Sequence, residues 1–443
     1  MAQEPIQAPV LTVEDIDDVR LLLRQSDEGA RIAGLAAIDA WSDRRLDATA
    51  ASSLLKASTL AYPWVRSQRV DPAIRLVRLL CGSPTLVSVP DVEAAYLVSA
   101  ERVRRVLLHL LALRRDAEGV VSLAFLIGPD GPADLLPLPT GGLLSPALEA
   151  QNSVVLVPSL LYAASQPGWS WHSAELLEQM VRNGLLDDER LRSVVQGLDP
   201  VVATMVAACD QASAAPAVST CGPGQRVGHP SQRQRLDPSR AERFRLHTVV
   251  SLLRAMHSTT TAPLLRRVLG SADPRVSAVG AAALVAVGEA VAPERFDLVA
   301  RDPEARSVLL SELDAIGRTQ EVAPKWRSGE ARAEGDLVRW LAADTELGAA
   351  PDEIEHVCRV ALGEHRQDGA IHLFRFRVRS PHWSSARGWM IGAAGPYADD
   401  GSKVVDAELI VSSVYSAEDH DDFDGHLDSI LDGLGAWPEG DDR

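Results

Sequence analysis

Two Asp-Pro pairs, Asp273-Pro274 and Asp302-Pro303, stand 29 residues apart and open segments with the same layout. A leucine follows each Asp by eleven positions (Leu284, Leu313), an aliphatic residue by fourteen (Val287, Ile316) and a glycine by fifteen (Gly288, Gly317). This is the chemistry of a helix with both ends specified. Asp accepts from the first unpaired backbone N–H groups, Pro suits a first turn that needs no N–H, and Gly ends the run. Between the caps of the first segment, Val276, Val279, Ala283, Leu284 and Val287 recur at helical spacing and predict one buried face. Leu264, Leu265, Val268 and Leu269, in the segment 262–269, supply a partner helix.

Composition agrees with a helical chain. Of 443 residues 46 % are hydrophobic and 24 % charged, an ordinary folded balance, whereas aromatics reach only 5 %. Packed helices use small and γ-branched side chains, and sheets need aromatic and β-branched ones. At the N-terminus, Thr12 with Asp15 approximates a capping box ahead of Val19, Leu21, Leu22 and Leu23. After Ser26-Asp27, Ile32, Leu35, Ala36 and Ile38 predict a second helix, and the two make a hairpin.

The segments 271–289 (SADPRVSAVGAAALVAVGE) and 301–317 (RDPEARSVLLSELDAIG) resemble the second helix of HEAT repeats, and 26–41 resembles a copy without the Pro. That resemblance implies a mainly α fold: a HEAT-like α-solenoid of helical hairpins, with further repeats too diverged to read. The expected divisions are an N-terminal helical region over 1–210, a linker over 211–240, HEAT-like repeats over 241–325 and a C-terminal α+β domain over 331–443. Within the first, 128–148 carries enough Pro and Gly to read as a loop insertion, Ser173 reads as a cap, and Asp199-Pro200 reads as a helix start. Residues 211–240 are Ala, Ser, Pro, Gly and Gln without periodicity.

Beyond 331 the period changes. A short helix is expected at Leu337–Ala343. Strands are expected at 371–379 (IHLFRFRVR), 388–394 and 404–414, with a closing helix at 424–434, giving an antiparallel sheet covered on one face. The segments 340–355 and 388–397 resemble an uncharacterised module of bacterial HEAT-repeat proteins, which implies no activity.

Three places have chemistry to weigh. Arg375, Arg377 and Arg379 alternate with Phe374, Phe376 and Val378 and lie near His382, Trp383, Arg387 and Trp389. Arg beside Trp is the composition of an interface hot spot, so Arg375, Arg377, Arg379, Trp383 and Trp389 are the expected partner-binding residues. Cross-strand pairing with Asp406 and Glu408 would instead neutralise the stripe. The acidic segment with Glu418, Asp419, Asp421, Asp422 and Asp424, plus His420 and His426, offers metal-ligand types without metal-ligand spacing. It reads as a solvated helix start, and no metal is expected. Trp169, Trp171, His172 and Asp187 are the residue types that HEAT-like alkylpurine DNA glycosylases use, although no motif of that family is present. A basic face would be needed from Arg102, Arg104, Arg114, Arg226, Arg233, Arg235, Arg240, Arg243 and Arg245.

A formal net charge of −17 disfavours nucleic acid and favours a basic partner. Cys81, Cys209, Cys221 and Cys358 form no C-x-x-C pair and read as reduced thiols. The N-terminus has no basic region ahead of an apolar core, and the uncharged stretch 150–171 is broken by prolines, so a cytoplasmic protein outside membranes is expected. No nucleophile elbow, phosphate loop, dinucleotide fingerprint or zinc-protease motif occurs. The expectation is a non-enzymatic scaffold or regulatory protein that needs no cofactor and binds another protein. The alternative is a nucleic-acid binder or glycosylase with a local basic groove.

Overall fold

The structure is a computed structural model and describes residues 9–139, 142–166, 168–214, 238–257, 259–343, 350–361, 369–377, 389–402, 404 and 410–414. The chain divides into two compact units, residues 1–201 and 202–443.

The first unit is helical. Its helices are α1 (Val13–Leu23), α2 (Glu28–Asp39), α3 (Ala48–Ser58), α4 (Pro72–Leu80), α5 (Val89–Val98), α6 (Glu101–Arg114), α7 (Ala117–Ile127), α8 (Leu156–Ala164) and α9 (Ser170–Arg182). α1 packs on α2 and α3, and the sequence of contacts runs from α3 to α4, α6, α7, α8 and α9. The expected capping box is present: the Thr12 hydroxyl accepts from Asp15 N, and the Asp15 carboxylate accepts from Thr12 N at 3.0 Å. In α2 the buried stripe is Arg31, Gly34, Leu35 and Ile38, with Ala36 exposed. The apolar residues alone therefore misplace that face, because Arg31 buries its stem while its guanidinium donates to the Gln25 and Ser26 carbonyls, each at 2.7 Å.

Two helix starts differ from expectation. Ser173 lies inside α9 and is buried, not a cap. Asp199-Pro200 lies inside α10 (Asp188–Ala214), whose start is capped by Asp187 through Arg190 N at 2.9 Å. The 128–148 insertion contains short 3-10 turns at Ala133–Leu135 and Ser145–Glu149 and buries Leu144, Ala147 and Leu148. Apolar burial anchors it despite its prolines.

The second unit contains α11 (Pro238–Ala255), α12 (Ala262–Leu269), α13 (Pro274–Ala286), α14 (Pro293–Ala300), α15 (Pro303–Asp314), α16 (Pro324–Arg327) and α17 (Gly329–Ala343). The expected linker over 211–240 begins four residues too early, since 211–214 complete α10. It also ends too late, since 238–240 open α11. Residues 215–237 lie outside the described residues.

Both Asp-Pro segments form the expected helices. Asp273 accepts from Arg275 N at 2.9 Å and Asp302 from Ala305 N at 2.8 Å, with Pro274 and Pro303 in the first turns. Gly288 (φ 85°) and Gly317 (φ 66°) end the two segments in the left-handed conformation. The predicted single face of α13 is too narrow. Ser277, Ala278, Gly280, Ala281 and Ala282 are buried too, because α11, α12, α14 and α15 all pack on this helix.

α13 packs on α15, and α15 on α17. Polar pairs cross these contacts at the same spacing as the sequence pattern. Arg275 donates to both oxygens of Glu304, 29 residues on, at 2.9 Å. Ser307 donates to Asp336, also 29 residues on, at 2.7 Å. The wholly buried Arg306 donates to the Ala331 and Ala300 carbonyls at 2.9 and 3.0 Å and to Glu334.

The sheet is a four-stranded antiparallel meander in the order β1 (Glu353–Ala361), β2 (Ala370–Arg377), β3 (Met390–Tyr397), β4 (Ile410–Val414). β1 has no counterpart among the strands expected from the sequence, and the expected helix at 424–434 lies outside the described residues. Phe374, Phe376, Met390 and Tyr397 form a core with Ala333, Leu337 and Leu341 of α17. On the opposite face Ile371, Leu373, Ile391 and Ala393 are buried as well, so the expectation of one covered face is too simple.

α17 is longer than the expected helix at Leu337–Ala343 and serves both neighbours. A Cβ at Gly335 would lie 2.7 Å from the Pro303 carbonyl, which is how α17 comes close to α15. Leu337 and Leu341 face the sheet. The expected boundary at 331 thus falls inside a helix shared by the helical layer and the sheet. Among the described residues, no helix is long and apolar enough to cross a membrane.

Candidate functional site

β2 alternates as expected. With Phe374 and Phe376 turned to α17, Arg375 and Arg377 fall on the other face beside β1. The register sets Glu355 opposite Arg375 and Glu353 opposite Arg377. Arg375 donates through Nε to Glu355 at 2.6 Å, and Arg377 lies 3.9 Å from Glu353. The pairing acids are therefore on β1. Asp406 and Glu408, the partners expected from sequence, lie outside the described residues, and β4 neighbours β3 rather than β2.

Trp389, half-buried just before β3, sits between the two guanidiniums, with Arg375 Cζ 4.6 Å and Arg377 Cζ 4.4 Å from its ring. The structure thus brings Arg375, Arg377 and Trp389 together, while Arg379 and Trp383 lie outside the described residues. Two arginines held by two glutamates leave little net positive field for an anion. What remains is an aromatic ring fixed by cation–π contacts within a polar frame, the composition of a protein contact.

On the α17 side of the same sheet is a histidine pair that sequence spacing did not reveal. His356 of β1 and His372 of β2 are sixteen residues apart and meet only through the strand pairing, with a bulge between His356 and Cys358. His372 Nδ1 is 3.3 Å from His356 Nε2, and His356 Nδ1 is 4.0 Å from Glu330 Oε2. Burial, then the nearby His356 and Arg359, push His372 down to about 4, so its ring is neutral at pH 7.

Of the glycosylase-type residues, Trp169, Trp171 and His172 come together, with Trp171 edge-on to the His172 ring at 5.6 Å, but they do not form an open site. Trp169 and His172 are buried, with their rings edge-on at 5.7 Å, and Trp169 Nε1 donates to the Pro137 carbonyl at 2.7 Å. Asp187 is occupied in capping α10 and pairing with Arg190. The cavity beside His172, lined also by Arg105, Leu138 and Trp169, has a volume of about 10 Å³, the size of one water molecule. An open cleft of about 250 Å³ near Pro293, Glu294, Asp297, Glu321 and Pro324 holds no convergent catalytic set. Among the described residues, no three His, Cys, Asp or Glu side chains come together in one cluster.

Five of the basic-groove residues are engaged internally, whereas Arg240, at the start of α11, is exposed. Arg102 stacks on Trp64 at 4.5 Å and Arg104 on Tyr96 at 5.9 Å. Arg114 donates to the Val87 carbonyl at 2.6 Å, and Arg243 and Arg245 pair with Asp273 and Glu242. Arg226, Arg233 and Arg235 lie outside the described residues.

His172 has a measurable consequence. It is 1 % exposed, its Nδ1 lies 3.5 Å from the Glu175 carboxylate and makes no hydrogen bond among the described residues, and burial pushes it down to about 4. The unfolded chain takes up this proton near pH 6.5 and the folded chain only near 4, so stability falls as pH drops through that window. The expected loss is about 2–3 kcal/mol by pH 4. Urea titrations at pH 7 and pH 4.5 should show His172→Leu losing less stability on acidification than the wild type. Equal losses in the two proteins would refute the assignment.

The comparisons with known proteins give no relative to lean on: no family model, no curated protein and no solved structure matches this chain.

Proposed function

We propose that the protein is a non-enzymatic interaction protein, a HEAT-like array of helical hairpins closed by the sheet, and that it binds another protein. One observation carries this reading. The 29-residue spacing of the two Asp-Pro segments reappears in the Arg275–Glu304 pair, so equivalent positions of the two segments meet, as stacked repeats would have them. Such arrays act through surfaces rather than buried pockets. The most defined contact surface is Arg375, Arg377 and Trp389. The net charge of −17 favours a basic partner and a cytoplasmic setting would suit the reduced thiols.

Affinity purification of the tagged full chain from its native cell extract should recover one other protein at stoichiometric amount. Recovery of only self-associated chain would contradict the proposal. The nucleic-acid reading gains nothing from the engaged arginines, so duplex DNA at low salt should produce no mobility shift. A salt-sensitive shift lost on neutralising Arg233, Arg235 and Arg240 would restore it.

A further inference from the structure

We propose that His356 and His372 form a two-imidazole site for a divalent transition metal such as zinc, with Glu330 as an outer partner. Two imidazoles on one tetrahedral zinc, each about 2.0–2.1 Å from the metal, hold their donor nitrogens about 3.4 Å apart. The facing nitrogens here are 3.3 Å apart, the ring centroids 5.3 Å apart, and the planes tilted by 46°.

The surroundings suit the role. The Glu330 carboxylate, 4.0 Å from His356 Nδ1, adds a favourable charge beside a bound cation, and His356 Nε2 faces His372 Nδ1 in a hydrogen bond whose proton a metal between the two nitrogens would replace. The His372 ring is held with Nε2 against Gly329, where an added Cβ would come within 3.1 Å, so its Nδ1 faces His356. The charge of Arg359, on the paired position of β1, is offset by Asp399 at 2.8 Å. Two protein ligands leave positions for water, so the site is open rather than a closed structural centre.

Calorimetric titration of the full chain with zinc chloride at pH 7.5 tests this directly. One equivalent should bind. Binding should vanish in His356→Ala and His372→Ala, weaken about tenfold in Glu330→Gln, and persist in a His420→Ala/His426→Ala variant. No heat in the wild type, or undiminished binding in His356→Ala, would overturn the site. Should either histidine variant misfold, zinc-edge X-ray absorption of the wild type decides. Imidazole nitrogens at about 2.0 Å support the site, and a shell of oxygen alone overturns it.

Discussion

Asp273→Ala should destabilise the second unit by about 3–5 kcal/mol, whereas Asp302→Ala, the equivalent position of the next segment, should cost only about 1 kcal/mol. The difference lies in what each carboxylate holds. Asp302 accepts from Ala305 N and acts as a cap. Asp273 is fully buried and additionally accepts from the Ser213 hydroxyl at 2.6 Å and from Arg243 Nε at 2.8 Å, with Arg275 3.5 Å away. Burial alone would raise its pKa. The Ser213 hydroxyl and the two guanidiniums outweigh that and hold it below the ordinary carboxylate range. Truncation would leave these donors facing an uncharged gap. Urea unfolding of both variants checks the contrast, and equal losses would show that Asp273 is a cap and no more.

Phe374→Ala should cost about 3–5 kcal/mol, the usual penalty for emptying a buried aromatic site. Phe374 is 1 % exposed and belongs to the core that joins β2 and β3 to α17. Because α17 also packs on α15 and anchors it through Ser307–Asp336 and Arg306–Glu334, the loss should not stay within the sheet. Native-state hydrogen exchange should show faster opening in β2, α17 and α15 together. Faster exchange confined to the strands would instead mark the sheet as unfolding independently of α17.

The parts of this fold that were legible in the sequence are those whose physics is local. Caps and periodicity announced α1, α13 and α15, since Thr12, Asp273 and Asp302 act within three residues of themselves. Alternation announced β2, where Phe374 and Phe376 oppose Arg375 and Arg377. The misses depend on tertiary partners. Pro200 looked like a helix start because an interior proline is costly, yet α10 runs through it. β1 is an edge strand whose exposed Glu355 and His356 interrupt any apolar pattern, though Ile354 turns toward the α17 core and Val360 is buried. Without a readable pattern in β1, the partners of the arginines, Glu353 and Glu355, are not apparent from the sequence. Nor is the histidine pair, which the bulged register of β1 on β2 alone brings together.

In the proposed function the protein holds another protein, with Trp389 at the contact. The most direct test compares capture by the wild type and by Trp389→Ala, each shown to be folded by circular dichroism. The expected outcome is one stoichiometric protein partner for the wild type and an affinity loss of about 30-fold or more in the variant, the effect of removing an interface hot spot of at least about 2 kcal/mol. Capture of the same partner with equal affinity by both proteins would contradict the contact assigned here, and capture of nothing but further copies of the chain would contradict the function.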